Sequence, residues 1–278
     1  MKRKAARKLA LDALVALIVL VAVSPFVVML GTALKTPAES VAYPPKIMPA
    51  RPTLMHFADV LDPAKFPFAR YFANSFIVAF STALIAVVVG SVGAYAFAKL
   101  PVPGKRFLES GTFVVYMFSG ILLVVPLFRI IAALGLYGSR VAVVIACLVS
   151  TLPAALSMLG NYFRTIPDSL EEAAFMDGLS RLQSLWRIIL PLSLPAIMSV
   201  FVYVFMIAWN DFLFASIFLS DPAKMTLPIG LRQFFSSQDY VWGRMMAASL
   251  LTGLPVVIMF AAVEKYITGG LTSGGVKN

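Results

Sequence analysis

Residues 163–194 read FRTIPDSLEEAAFMDGLSRLQSLWRIILPLSL, a polar segment between two long apolar runs. Asp168 predicts the start of a short helix, because its side chain can cap the helix and Glu171, three residues later, completes a capping box. Gly178 is placed to end this helix in a left-handed conformation. A helix of roughly ten residues is marginal in water on its own. We therefore expect it to pack against a partner.

The second half of this segment is amphipathic. Its apolar residues at helical spacing are Leu179, Leu182, Leu185, Trp186 and Ile189. Polar side chains occupy the other side, which is typical of a helix lying along the cytoplasmic surface of a membrane. Pro191 and Pro195 then predict a break that turns the chain back into the bilayer. By these residues alone, an ordinary amphipathic connection between two membrane helices explains the segment equally well.

The composition excludes a water-exposed globule. Of the 278 residues, 60% are hydrophobic and 13% are charged, and the mean hydropathy is +0.89. Soluble domains carry roughly 25% charged residues, so this chain has too little polar surface to cover a soluble fold. An integral membrane protein is the class that remains.

Six apolar runs are long enough to cross a bilayer, at about 20 residues per span. They are residues 9–34, 74–98, 107–134, 141–162, 195–219 and 245–267. We therefore predict an all-α, polytopic membrane protein with six transmembrane helices. In the second of these, Gly90 and Gly93 allow a neighbouring helix to approach closely.

Basic residues predict the orientation of these helices. The first helix follows Lys2, Arg3, Lys4, Arg7 and Lys8, and basic residues flank membrane spans on the cytoplasmic side. Both termini are then cytoplasmic. The net charge of +10 fits this asymmetry, and we expect no nucleic-acid partner. The predicted organisation is a basic N-terminus with the first helix (1–34), an outer loop (35–71), a core of five helices (72–267) and a cytoplasmic tail (268–278).

The chain offers no residue set for catalysis or metal binding. Its single cysteine, Cys147, lies in an apolar run, and its single histidine, His56, lies in a polar loop, so no metal site of ordinary type can form. The pair Gly104-Lys105 lacks the upstream glycine and the hydroxyl residue of a phosphate-binding loop. We therefore predict that the chain is not an enzyme and binds neither metal nor cofactor.

Transport driven by an ion gradient is the competing function. A secondary transporter needs ionisable groups deep in the bilayer, and the candidates are Asp211, Arg129 and Asp12. Asp12 and Arg129 lie near the ends of predicted spans, where an interfacial position is expected, and Asp211 lies within the fifth predicted helix. One acidic residue and no apparent inverted repeat give this alternative little support.

The segment 163–194 also resembles a known motif. Glu172-Ala173-Ala174, then Gly178, then Ile188-Ile189-Leu190-Pro191 match the EAA motif of permease subunits of binding-protein-dependent ABC importers, at the motif's fixed spacing. Three further stretches are similar to the carbohydrate-importer, maltose-permease-like branch: residues 205–215, 243–249 and 270–276.

The resemblance implies a type I ABC importer permease fold in the bacterial cytoplasmic membrane and a segment, 163–194, that couples it to a cytoplasmic ATPase. The residues it assigns to ATPase coupling are Glu171, Glu172, Ala173, Ala174, Asp177, Gly178, Ile188, Leu190 and Pro191. It further implies several partners: a second homologous permease subunit, two ATPase subunits that bind the ATP and Mg, a periplasmic or lipid-anchored solute-binding protein, the carbohydrate substrate and membrane lipid.

Trp209, Asn210 and Asp211 are the candidates for the sugar pathway. Amide and carboxylate groups bind sugars through hydrogen bonds, and aromatic rings stack on them. The alternative is that Asn210 and Asp211 merely bond a neighbouring helix, a common use of polar residues in membranes. The outer segment 220–244 is a candidate contact for the solute-binding protein.

Overall fold

The computed structural model describes residues 2–117, 120–236 and 242–273. No strand occurs among these residues, which confirms the all-α prediction. The α-helices are α1 (Lys2–Ala33), α2 (Pro37–Ser40), α3 (Met55–Leu61), α4 (Phe68–Lys99), α5 (Lys105–Met117), α6 (Gly120–Ala133), α7 (Arg140–Phe163), α8 (Asp168–Met176), α9 (Arg181–Ser184), α10 (Leu190–Leu192), α11 (Leu194–Trp209), α12 (Leu213–Phe218), α13 (Leu227–Ser236) and α14 (Trp242–Ser273). A π-helix, Leu185–Ile189, joins α9 to α10.

Four of these helices, α1, α4, α7 and α14, contain stretches long and apolar enough to cross a membrane. The bent pair of Arg181–Leu192 and α11 is a fifth candidate. The predicted third span, 107–134, corresponds to α5 and α6, which lie on either side of residues 118 and 119, outside the described residues. Within the described residues, five of the six predicted spans therefore have a counterpart, and the third stays a prediction.

The chain forms two compact units. One contains residues 1–69 and 230–254, and the other contains residues 70–229 and 255–278. The predicted domain boundaries follow the membrane topology instead of the packing, and they remain predictions.

Helix α7 is central to the larger unit, where it packs against α5, α6, α11 and α12. The predicted close approach at Gly90 and Gly93 of α4 is confirmed, and the neighbouring helix is α7. A Cβ atom on Gly93 would lie 2.6 Å from Leu156 Cδ2, and one on Gly90 would lie 3.4 Å from Leu159 Cδ1. Glycine at these positions lets the two helices pack at short range.

The predicted outer loop, 35–71, contains the short helices α2 and α3. Helix α2 begins with a capping box in which Thr36 Oγ1 accepts a hydrogen bond from the Glu39 N–H. Pro37 follows the cap, where its missing N–H costs nothing. The prolines of this loop thus permit short helices although they prevent a long one.

His56 lies in α3 and is fully buried, whereas the sequence predicts that it lies in a polar loop. Gly243 covers the imidazole so closely that a Cβ atom there would collide with the ring. Desolvation lowers the pKa of His56. Nearby, Asp59 binds Arg244 at 3.0 Å and also Lys65, and the hydrogen bond from Lys65 lowers the pKa of Asp59.

Candidate functional site

Helix α8 begins without the capping box that the sequence predicts. Pro167 occupies the cap position, and no side chain caps the helix. Asp168, the expected cap, is the first helical residue, and its carboxylate binds the Lys99 ammonium at 2.5 Å. Glu171 accepts a hydrogen bond from Tyr95 of α4. The capping-box prediction is therefore wrong, because both carboxylates are bound to side chains of α4.

A capping box does form at the start of α9. The Gln183 N–H donates to Ser180 Oγ at 3.3 Å, and the Ser180 N–H donates to Gln183 Oε1 at 2.9 Å. Gly178 has a φ of +82° and ends α8 in the left-handed conformation, as predicted. A defined turn therefore separates α8 from α9.

The inward face of α8 rests on the last turns of α4. Glu171 and Ala174 are buried. Tyr95 Oη donates to Glu171 Oε1 at 2.7 Å, and Lys99 Nζ lies 4.0 Å from Glu171 Oε2. Lys99 Nζ also donates to the Ile166 carbonyl at 2.5 Å, just before the helix. Partners on another helix thus hold a helix that would not be stable alone.

The outward face of α8 carries the other predicted coupling residues of this helix. Those exposed are Glu172, Ala173, Asp177 and Gly178. Between them, Met176 is 88% exposed, so this face also includes a large apolar side chain. The predicted coupling residues are therefore divided: Glu171 and Ala174 position the helix, and the others form an open surface.

The chain turns sharply after α10. The axes of Arg181–Leu192 and α11 differ by 80°, with Ser193 between them. Pro191 lies in the first turn of α10 and Pro195 in the first turn of α11. The predicted proline break is therefore confirmed, and we call residues 185–195 the elbow.

The apolar stripe predicted for this region is divided between two faces. Leu185 and Ile189 are fully buried, whereas Leu182 and Trp186 are 59% and 53% exposed. The two sets lie on adjacent sides of the helix, because Leu182 and Trp186 are four positions apart and so are Leu185 and Ile189. The predicted anchor residues of the elbow are half-buried Ile188, half-buried Leu190 and exposed Pro191.

The predicted pathway residue Trp209 is 1% exposed and belongs to the core. Its ring stacks on Phe205, with centroids 5.6 Å apart, and meets Phe72 edge-on at 5.3 Å. Asn210 is exposed, and its side chain donates to the Met206 carbonyl at 2.9 Å. Trp209 is thus inaccessible to a solute in this conformation. Asn210 occupies the C-cap position of α11, where its side chain binds a carbonyl of the last turn.

Asp211 secures the start of α12. Its carboxylate accepts hydrogen bonds from the N–H groups of Phe214 at 3.3 Å and Ala215 at 2.9 Å. The fifth predicted helix, 195–219, is accordingly interrupted at residues 210–212, which corrects its expected continuity. The polar residues that look like a sugar site in sequence serve here to satisfy backbone groups at the interruption.

A polar cluster at the first turns of α4 was not predicted from the sequence. Asn74 Nδ2 donates to the carbonyls of Ala223 at 3.0 Å and Met225 at 2.9 Å. Arg140 of α7 donates to Asn74 Oδ1 at 2.9 Å. The available signal was a polar pair, Asn74-Ser75, at the start of an apolar run. The carbonyls of Ala223 and Met225 lie 149 and 151 positions away along the chain, and Arg140 lies 66 positions away, so the sequence did not identify these partners.

The described residues bring together no group of three His, Cys, Asp or Glu side chains that would suit a metal ion. A cavity of about 460 Å³ opens between α5 and α7, and its lining, which includes Leu108, Val115 and Leu152, is apolar apart from Thr112. This lining suits hydrocarbon and lacks the convergent polar groups that a sugar site requires.

A family model described as the binding-protein-dependent transport system inner membrane component matches residues 92–268 of this chain. The chain belongs to this family. The matched region contains α8, the elbow and the helices packed around α7. The resemblance identified in the EAA motif is therefore confirmed, and this family member is a multi-pass transport permease.

Relatives support the same conclusion over most of the chain. The inner membrane ABC transporter permease protein YcjP of Escherichia coli is 52% identical over 262 residues, covering 94% of each chain. The trehalose/maltose transport system permease protein MalG of Thermococcus litoralis is 38% identical and covers 81% of each chain. The maltose/maltodextrin permease protein MalG of Salmonella typhimurium is 34% identical, over 78% of this chain and 75% of its own.

Solved structures show the fold. A bacterial ABC transporter involved in the import of the acidic polysaccharide alginate aligns with a TM-score of 0.76 at 22% identity, covering 96% of this chain and 98% of the other. The predicted ABC importer permease fold is thereby confirmed. Secondary transport, the competing function, is not favoured by any of these likenesses.

Proposed function

We propose that the chain is the permease subunit of an ATP-driven carbohydrate importer and forms half of its translocation pathway. One observation carries the proposal: α8 is held by α4 on one face and presents Glu172, Ala173 and Gly178 on the other. Relatives over most of the chain's length are named as trehalose and maltose permeases. This supports a carbohydrate substrate.

The energy for transport comes from another subunit. The sequence contains no phosphate-binding loop of the Gly-x-x-x-x-Gly-Lys type. In the proposed assembly, two partner ATPases bind ATP and Mg beneath the membrane. Their closure moves α8, the membrane helices then open outward to receive the sugar, and hydrolysis resets them. A short helix held between two bodies is suited to this, because it moves as a unit.

The remaining partners complete the assembly. A second homologous permease forms the other half of the pathway, and a free or lipid-anchored solute-binding protein delivers the sugar on the outer side. In support, the apolar window of α1 is 0% buried within this chain. Such a surface requires lipid or another membrane helix as its cover. Both termini are cytoplasmic in this arrangement.

The proposal is tested by purification of the tagged chain in mild detergent. We expect an ATPase and a second permease to co-purify. The opposite result is sugar accumulation by the chain alone, reconstituted in vesicles with an ion gradient and without ATP. That outcome would establish a secondary transporter and overturn the proposal.

A further inference from the structure

The attachment of α8 to α4 is built from buried polar groups, not from apolar packing alone. The side chains of Lys99 and Glu171 are 4% and 8% exposed, and Tyr95 is 4% exposed. A buried carboxylate needs partners because its desolvation is costly. Here the Tyr95 hydroxyl and the Lys99 ammonium supply them, and Lys99 also holds Asp168 and the Ile166 carbonyl.

Tyr95 and Lys99 lie on one face of α4, because residues four positions apart are on the same side of a helix. Both contact α8 or the residue that precedes it by two positions. If α8 moves as a unit, its movement is therefore applied to α4 at two points. A single point would allow rotation about the contact, whereas two points transmit a tilt.

Helix α4 is suited to carry such a movement. It has 32 residues, none of them proline, and is therefore about 48 Å long at 1.5 Å per residue. At its other end, Asn74 holds the carbonyls of Ala223 and Met225. The next residue, Ser75, accepts a hydrogen bond from the Leu227 N–H at 2.8 Å. One rigid element thus bonds to the coupling helix at one end and to residues 223–227 at the other.

We propose that Tyr95 and Lys99 are positioning residues that transmit the movement of α8 through α4 to the outer segment 223–227. The inference rests on the proposed function, since it assumes that an ATPase moves α8. It extends that function by assigning a role to two residues outside the EAA motif.

The test is a labelling experiment in the purified complex with its ATPase. Cys147 is replaced by serine, and an exposed reporter, Ala223→Cys, is introduced in the outer segment. The quantity measured is the rate of maleimide labelling at residue 223 with and without Mg-ATP. In the parent we expect a change in this rate. In Tyr95→Phe, which removes one hydroxyl, we expect that change to fall at least fivefold while the ATPase still co-purifies.

Controls separate transmission from folding. Tyr43→Phe makes the same chemical change at a tyrosine that is 95% exposed, and we expect the parental response. Glu171→Gln keeps an acceptor for Tyr95 but removes the charge that faces Lys99. If Tyr95 and Glu171 act through their shared hydrogen bond, Tyr95→Phe with Glu171→Gln is no more defective than the worse single variant.

Two outcomes overturn the inference. In the first, Tyr95→Phe shows the same ATP-dependent change in labelling rate as the parent. In the second, the change falls in Tyr95→Phe only as much as the amount of co-purifying ATPase falls. A different result, no co-purifying ATPase with the parent chain, contradicts the proposed function itself. The two failures are therefore distinguishable.

Discussion

Gly178 shows how much a single residue can determine at the residue scale. Its φ of +82° lies in the region that other L-residues avoid, and nothing lies within 4 Å of the position that a Cβ would occupy. Glycine is thus needed for the backbone angle and not for space within this chain. The open position is consistent with a surface that a partner occupies.

We predict that Gly178→Asp abolishes uptake while membrane insertion stays normal. The aspartate adds bulk and charge to the surface proposed to contact the ATPase, and a polar residue tolerates the left-handed angle at a cost of about 1 kcal/mol. Gly104→Asp is the matched control, because Gly104 has a φ of +73° and is equally open. Uptake assays and membrane fractionation measure both variants. Equal loss of uptake in the control would attribute the effect to backbone strain and remove Gly178 from the coupling surface.

At the element scale, the interruption between α11 and α12 decides what the polar residues of the fifth span do. Asp211 accepts two backbone N–H groups at the start of α12, and Asn210 bonds to the last turn of α11. These bonds favour the structural interpretation of the pair over a direct sugar contact. They do so because backbone groups inside a membrane must find a partner in the protein.

We therefore predict that Asp211→Ala lowers the stability of the purified protein by about 1 kcal/mol, the usual cost of losing such a cap. Asp211→Asn keeps only one of the two oxygens that accept these backbone N–H groups, so we expect it to lose less stability than the alanine variant and to retain most of the uptake. Thermal unfolding in detergent and uptake in cells are the measurements. A stable Asp211→Asn protein without uptake would instead place the carboxylate in the transport pathway.

At the scale of the whole molecule, the proposed orientation depends chiefly on the basic residues before the first helix. It places the loop that contains Tyr43 outside the cell and α8 inside. The single cysteine, Cys147, is buried, so a cysteine-free parent requires one substitution.

In that parent, we expect Tyr43→Cys to react with an impermeant maleimide in intact cells. Met176→Cys, at a position 88% exposed, should react only after the membrane is opened. Reaction of both in intact cells, or the reverse order, would contradict cytoplasmic termini.

The sequence alone determined the membrane class, the helical fold and the family, because these depend on composition, on apolar runs of fixed length and on a motif of fixed spacing. It also located the end of α8 at Gly178 and the break at Pro191 and Pro195, since glycine and proline restrict the backbone locally. Local chemistry of this kind needs no knowledge of distant residues.

Only the tertiary structure decided what the polar side chains do. The sequence predicts that Asp168 and Glu171 form a local capping box. Instead, Lys99 binds Asp168 from 69 positions away along the chain, and Tyr95 binds Glu171 from 76 positions away. The sequence predicts His56 in a polar loop, whereas in the structure the residue is buried because Gly243 packs against its imidazole ring. In each case a distant partner competed successfully with a local bond, because a buried polar group is stabilised most by whichever partner the fold holds at hydrogen-bonding distance.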